Sequence, residues 1–375
     1  MTFGHGGNIQ AVARQMKCSP SEIIDMSSNI NPLGPTPGLL DFLRANLETV
    51  TRLPEVDGRQ TAEYFAAYLG VDSKRVLAGN GTTQFIYSAP RVLKSKKALI
   101  VGPTYADYAD ACAGNLTACT ILLTRESEAF APDADRLQNS VHQFDTVFIC
   151  NPNNPTGGLI PYDKLHRLCR SCPQSTFIID ESYMPFVANA EQESMLDSGL
   201  DNVIVLLSIS KIFGIPGLRI GFIIAAKPHI QKFRQALLPW SVNSLAHESV
   251  RYLTDHKGLI EGFTQKTRIC MVNRRQQFYE AFETAPEFNL YRSQTPFVLI
   301  RLPAQLRAGY TWERLAGERV LVRNCANFEG LSDKFIRVSL KTPEANRLVA
   351  EKLIALCKNQ ENSCLNTTAR RRGRS

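Results

Sequence analysis

No run of about 18 consecutive apolar residues occurs in the chain, which excludes a membrane-spanning helix. The opening residues, MTFGHGGNIQ, lack the basic-then-apolar layout of a secretory signal. The 10 cysteines are scattered irregularly through 375 residues, a length that needs no disulfide staples. Cys169 and Cys172 form a lone CxxC with neither a second pair nor a nearby histidine, so no metal site is expected. Free thiols in a cytoplasm are the expectation. Internal repeats are lacking as well, and the only biased segment is the C-terminal end, where Arg370, Arg371, Arg372 and Arg374 follow a polar stretch. Residues 361–375 are expected to form a disordered, solvated tail.

What is present suits a globular enzyme. The chain is 44% hydrophobic and 21% charged, enough to bury one large domain or two joined ones. Its net charge of +8 fits either nucleic acid or anionic small molecules. With the dense basic run confined to the tail, a small anionic substrate is the expected partner, and neither nucleic acid nor membrane is.

Short apolar runs bounded by Gly, Pro, Asp or Ser recur at 98–101, 146–150, 176–179, 203–207 and 220–225. They alternate with helical segments such as 162–172, which begins after Pro161. Runs apolar on both faces argue for an α/β fold with a largely parallel sheet covered by helices. Beyond Trp240 the pattern changes to a long helix (256–283), strands (297–302, 320–323 and 335–339) and a closing helix (344–357). The expected layout is a large domain over 31–255, and a smaller α+β domain from 256–360 with 1–30 as its N-terminal arm.

Five motifs fall at strand ends or helix starts, the edge where open parallel sheets bind ligands. Gly79-Asn80-Gly81-Thr82-Thr83 opens a helix, and its small residues and free N–H groups suit a phosphate, although a plain helix-capping turn would look alike. Asn151-Pro152-Asn153-Asn154-Pro155-Thr156-Gly157 is a rigid turn, and it holds Asn154 where an amide could meet a ring hydroxyl. Asp180 ends an apolar strand, where a carboxylate needs a partner such as a protonated ring nitrogen, and Tyr183 follows three residues on. In Ser208-Ile209-Ser210-Lys211, continuing to Arg219, a desolvated lysine suits Schiff-base formation with an aldehyde, flanked by phosphate donors. Arg323 and Arg337 lie in apolar strands and require an internal acid or an anionic substrate. An aldehyde-binding lysine, an acid for a ring nitrogen and a phosphate cradle together describe pyridoxal 5′-phosphate (PLP).

From His5 to about residue 347 these motifs resemble the fold-type I PLP enzymes of the aspartate aminotransferase superfamily. Within it the chain is similar to histidinol-phosphate aminotransferases, and more so to threonine-phosphate decarboxylases of cobalamin synthesis. The second likeness rests on HGGNI (5–9), DMSSNINPLG (25–34), IPGLR (215–219), LPWSVNSLA (238–246) and VRNCANFEGL (322–331). It implies a large domain with a mostly parallel sheet plus a smaller α+β domain, and a homodimer. It also implies that Lys211, Asp180 and Tyr105 are catalytic, with Tyr105 stacked on the pyridine ring. Asn154, Asp180 and Tyr183 would hold that ring, and Gly81, Thr82, Thr83, Ser208, Ser210 and Arg219 its phosphate. Arg337 would take the substrate carboxylate, while His5, the Gly6-Gly7 backbone, Asn29 and Arg323 would surround the substrate's own phosphate, and Asn154 would also be among the substrate-binding residues. Two departures touch the cofactor cradle and rim. Leu53-Pro54-Glu55 stands where relatives carry a Tyr that reaches the neighbouring subunit's cofactor, and the Gly-rich turn reads GTTQ where an acid is more common.

The implied reaction is decarboxylation of L-threonine O-3-phosphate to (R)-1-amino-2-propanol phosphate and CO₂ for the cobalamin nucleotide loop. Serine phosphate would give ethanolamine phosphate, and the one methyl between them is worth only about 1–3 kcal/mol of discrimination. An aminotransferase of the histidinol-phosphate type uses the same lysine and cradle, since the reaction depends on which Cα bond is aligned. A PLP-fold effector module of a transcription regulator would carry a DNA-binding domain ahead of the fold. With the motifs starting at His5, none is expected. The protein should be yellow with PLP, and borohydride should abolish its visible band; Lys211→Ala should lack that reducible band. A wild-type protein that stays colourless after reconstitution would overturn the assignment of Lys211.

Overall fold

A computed structural model describes residues 6–372, and His5 lies outside them. Seven strands form the larger sheet: β1 (Val76–Gly79), β2 (Lys97–Gly102), β3 (Ala118–Leu123), β4 (Thr146–Cys150), β5 (Thr176–Asp180), β6 (Val203–Leu207) and β7 (Gly221–Ala225). Their order is β1-β7-β6-β5-β4-β2-β3, and all neighbours are parallel except β7, which runs antiparallel to β1 and β6. Every residue of β4, β6 and β7 is buried. Burial on both faces is why these strands read as unbroken apolar runs.

The two strands that the sequence does not signal have physical reasons for their silence. β1 is four residues long and runs straight into the Gly-rich turn. β3 is a sheet-edge strand whose residues remain partly or fully exposed, so burial did not select a fully apolar run.

The smaller sheet takes β8 (Asn289–Leu290), β9 (Phe297–Arg301), β11 (Arg323–Asn324) and β12 (Phe335–Ser339), all antiparallel in the order β11-β12-β9-β8. The run expected as one strand at 320–323 is divided. Its first part, β10 (Val320–Leu321), pairs in parallel with Ile24–Asp25 and so fastens the N-terminal segment to this domain. The chain reaches the smaller sheet through helix α2 (Lys257–Glu280). It ends in helix α3, Pro343–Arg372. Helix therefore continues into 361–372, where a disordered tail was expected. After Pro343 no proline or glycine interrupts the sequence until Gly373, so nothing local stops the helix. Among the described residues no helix is long and apolar enough to cross a membrane.

Just past β5, Glu181 is fully buried and its carboxyl accepts hydrogen bonds from Ser194 Oγ (2.5 Å) and the Met195 N–H (2.6 Å). Burial outweighs these bonds and pushes its pKa up to about 7. The unfolded carboxyl ionises near 4.5, so between about 4.5 and about 7 the folded state holds a proton that the unfolded state has released. The contribution to stability is intact below that window and is lost as pH rises through it. Glu181→Gln should remove this loss. In denaturant unfolding, the stability of the variant relative to wild type should rise by roughly 2–3 kcal/mol between pH 5 and pH 8. An unchanged difference would mean that Glu181 is ionised in the fold.

Candidate active site

The C-terminal ends of β1, β2, β4, β5 and β6 share one edge of the large sheet, and beside them lies a cavity of about 290 Å³. Gly6, Asn29, Gly81, Thr82, Thr83, Tyr105, Asn154, Tyr183, Ser208, Ser210, Lys211, Arg219, Arg323 and Arg337 line it. The fold thus gathers residues up to 331 positions apart. Two candidates do not reach the wall. Gly7 is not among the residues that line the cavity, and its N–H is donated to Ser27 Oγ at 2.8 Å. Asp180 is buried and is not among the residues that line the cavity.

One wall is shaped for a phosphate. Helix α1 (Gly81–Val92) starts on Gly81, whose φ of +72° suits glycine. A Cβ on Gly81 would stand 2.6 Å from Arg219 Nη2, and one on Gly221 would stand 2.4 Å from the Thr82 nitrogen. These two glycines let the helix start, β7 and the guanidinium converge. Arg219 itself sits at φ 52°, a left-handed conformation that is uncommon and costly outside glycine, held at the end of the Pro216–Leu218 turn. Ser210 Oγ donates to the Ile220 carbonyl at 3.1 Å and so ties the lysine segment to the entry of β7.

Lys211 is half-buried, and its Nζ lies 5.2 Å from the centre of the Tyr183 ring. Its backbone is braced from the N-terminal segment. The Asn31 N–H donates to the Lys211 carbonyl (3.0 Å), and Asn31 Nδ2 donates to the Ile212 carbonyl (2.7 Å) and Thr267 Oγ1 (3.0 Å). Asp180, at the end of β5, accepts from the Tyr108 hydroxyl at 2.8 Å on Oδ2 and from the Ser182 hydroxyl and N–H on Oδ1. Tyr108 is fully buried, and burial followed by the Asp180 charge raises its pKa, so it remains a donor. Its one signal in the sequence is its place three residues after Tyr105, whose ring meets it edge-on at 5.8 Å. Burial also raises the Tyr105 pKa, with Asp107 adding to the shift.

The turn after β4 is locked by Asn153. Its Nδ2 donates to the Pro103 carbonyl (2.9 Å) and Thr156 Oγ1 (2.8 Å), while its Oδ1 accepts from Thr104 (2.7 Å). The loops that carry Tyr105 and Asn154 are therefore held to each other.

Arg323 and Arg337 are direct cross-strand partners on β11 and β12. Like charges placed opposite each other destabilise a sheet unless something negative meets them. Arg337 is deeply buried. It donates to Asn154 Oδ1 and to the Ser27 carbonyl (2.7 Å), lies over the Phe297 ring, and has no partner for its Nε among the described residues. Arg323 donates to Asn327 Oδ1 at 2.7 Å, and burial, with Arg337 nearby, pushes its pKa down to about 10. Asn29 donates to the Tyr183 hydroxyl (2.8 Å) and accepts from Ser339 Oγ (2.6 Å), so it links the two domains at the cavity wall. The lining carries Lys211, Arg219, Arg323 and Arg337 and no carboxylate, a setting for a ligand with several negative charges.

Residues 21–353 match the model of the class I and II aminotransferases, and the chain belongs to that family. It is 30% identical to the adenosylcobalamin biosynthesis bifunctional protein CobDQ of Leptospira interrogans, over 92% of this chain but only 40% of that protein. It is 29% identical to the threonine-phosphate decarboxylase of Salmonella typhimurium, over 95% of this chain and 96% of that one. A histidinol-phosphate aminotransferase of Methanosphaera stadtmanae is 26% identical over 96% and 97%. The solved L-threonine-O-3-phosphate decarboxylase of Porphyromonas gingivalis superposes with a TM-score of 0.79 at 28% identity, covering 90% of this chain and all of that one. The fold is that of the fold-type I PLP enzymes, and PLP is the cofactor.

The residues present fit that group. The cradle that Gly81 and Gly221 keep open suits its phosphate, Lys211 its aldehyde and Asp180 its ring nitrogen. Gly221→Ala should push the Thr82 backbone out of the cradle. The affinity for PLP, followed by absorbance titration of the apoprotein, should fall by roughly tenfold or more. Unchanged affinity would place the phosphate elsewhere.

Proposed function

We propose that this member of the class I and II aminotransferases is a lyase that removes the carboxylate of L-threonine O-3-phosphate. The products are CO₂ and (R)-1-amino-2-propanol phosphate, which enters the cobalamin nucleotide loop. The observation that carries this reading is the pair of arginines facing each other across β11 and β12, in a cavity lined by no carboxylate. A substrate with both a carboxylate and a phosphate meets both. Histidinol phosphate lacks the carboxylate and would leave Arg337 without an anion in a buried strand. The name of the Salmonella relative supports the same substrate, and that of the Leptospira relative supports a place in cobalamin biosynthesis.

In this reading Thr82, Thr83, Ser208, Ser210, Arg219 and the start of α1 hold the cofactor phosphate. Tyr105 would cover the ring face, Asn154 and Tyr183 would meet its hydroxyl side, and Asp180, oriented by Tyr108 and Ser182, would keep its nitrogen protonated. Bound there, the cofactor supplies an aldehyde that captures the substrate amine and a ring that accepts an electron pair from Cα. Arg337 orients the carboxylate and Arg323 the phosphate, which sets the bond from Cα to the carboxylate as the one to break. That bond's electron pair stays behind as CO₂ leaves, and Lys211 Nζ then delivers a proton to Cα as general acid. The N-terminal arm contributes Gly6, Ser27, Ser28 and Asn29 to the cavity wall.

Assembly as a homodimer belongs to the same proposal. Leu53 is 79% exposed, and Val56, Leu238 and Trp240 are exposed beside it. The Trp240 N–H, donated to the Val56 carbonyl at 2.8 Å, joins the two segments into one apolar surface. Such a surface suits contact with a second copy.

An amino transfer remains the competing reading, because Arg337 could equally hold the carboxylate of 2-oxoglutarate. Substrate labelled with ¹⁴C in its carboxylate separates them. We expect labelled CO₂ to be released from L-threonine O-3-phosphate without any amino acceptor. Glutamate formed only with 2-oxoglutarate, the label being retained, would overturn the lyase.

A further inference from the structure

We propose that Asn327 is the positioning residue that makes Arg323 a receptor for a phosphate dianion, and that its neutrality is what leaves Arg323 free for that task. This inference rests on the reading that the substrate bears a phosphate.

Several arginines elsewhere in the chain settle on carboxylates, Arg301 on Glu126 at 3.0 Å, Arg307 on Asp333 at 3.1 Å and Arg268 on Glu191 at 2.9 Å, while the buried Arg275 donates to the Thr295 carbonyl at 3.1 Å. The two arginines that face each other at the cavity meet neutral oxygens. Arg323 donates to the amide oxygen of Asn327 at 2.7 Å, and Arg337 to the amide oxygen of Asn154 and the Ser27 carbonyl. A neutral oxygen orients a guanidinium without cancelling its charge, whereas a carboxylate would do both. Cys325, buried beneath the pair, does not supply an anion either, since burial pushes its thiol up to about 11.

The turn that carries Asn327 is built to hold it still. Asn324 Oδ1 accepts the Ala326 N–H at 2.9 Å, the Phe328 N–H reaches the Cys325 carbonyl at 3.0 Å, and the Leu331 N–H reaches the Phe328 carbonyl at 2.9 Å. Gly330, at φ +88°, closes the turn against β3, where a Cβ would stand 2.5 Å from Leu123 Cδ2. The same turn places the Phe328 ring 5.1 Å from Arg323 Cζ. One short segment thus holds the guanidinium by its face and by one edge, and both Phe328 and Asn327 line the cavity. Restraint before binding removes an ordering cost that a free arginine would meet on taking its ligand. An aspartate at 327 has nearly the same shape. It would pair with Arg323 and set a negative charge against the incoming phosphate.

The test uses the PLP-loaded enzyme with N327A, N327D, R323A and the double variant R323A/N327A. Inorganic phosphate is titrated calorimetrically, and KM and kcat are measured for L-threonine O-3-phosphate. We expect N327A to weaken phosphate binding by about tenfold and N327D by on the order of a hundredfold. The kinetic loss should fall in KM rather than in kcat, and the double variant should bind phosphate no worse than R323A alone. Wild-type phosphate affinity in N327A would overturn the proposal. So would additive losses in the double variant, or N327D binding as well as N327A. N327D keeps the side-chain volume, so its result stands even where N327A disturbs the turn. Because phosphate binding is read without turnover, failure of the decarboxylation reading leaves these outcomes interpretable.

Discussion

Two guanidinium groups stand directly opposite each other on neighbouring strands of the small sheet, and most of the cavity follows from keeping them there. Their mutual repulsion and their burial both oppose the arrangement. What offsets it is a set of neutral oxygens from Asn327, Asn154 and Ser27 and aromatic faces from Phe328 and Phe297. The positive charge left unmatched is what the carboxylate and phosphate of the proposed substrate would meet.

The N-terminal segment joins that charge to the lysine. Ile24–Asp25 pairs with β10 in the small domain, Ser27 receives a hydrogen bond from Arg337, Asn29 bridges Ser339 and Tyr183, and Asn31 braces the backbone of Lys211. Asp25 in turn accepts from the hydroxyls of Ser27 and Ser28 and keeps the segment bent. A short stretch of chain therefore runs from Arg337 of one domain to the Lys211 segment of the other.

On the large-domain side the controlling constraint is space. The start of α1, the entry to β7 and the Arg219 guanidinium approach so closely that only glycine fits at 81 and 221. Backbone N–H groups and hydroxyls then face one small volume, which suits a group with three equatorial oxygens and charge to share. Asp180 lies deeper, braced by Tyr108 and Ser182, so that its charge is directed and not merely buried.

The sequence by itself determined the class of the fold and the chemical centre. Fully buried parallel strands leave unbroken apolar runs, and a lysine between an apolar strand and a Gly/Pro-rich stretch has few structural uses. Residues read from one local motif, such as Gly81, Lys211 and Arg219, were therefore expected at one site, and the fold brings them to one cavity. The tertiary structure alone decided what depends on distant partners. Nothing in the spacing of Tyr108 and Asp180, 72 positions apart, announces their hydrogen bond, and nothing near Asn31 points to Lys211. Strand pairing set Arg323 opposite Arg337, and a Ser27 hydroxyl took up the Gly7 N–H. Periodicity records which face of an element is buried; which group across the fold meets it is settled by packing alone.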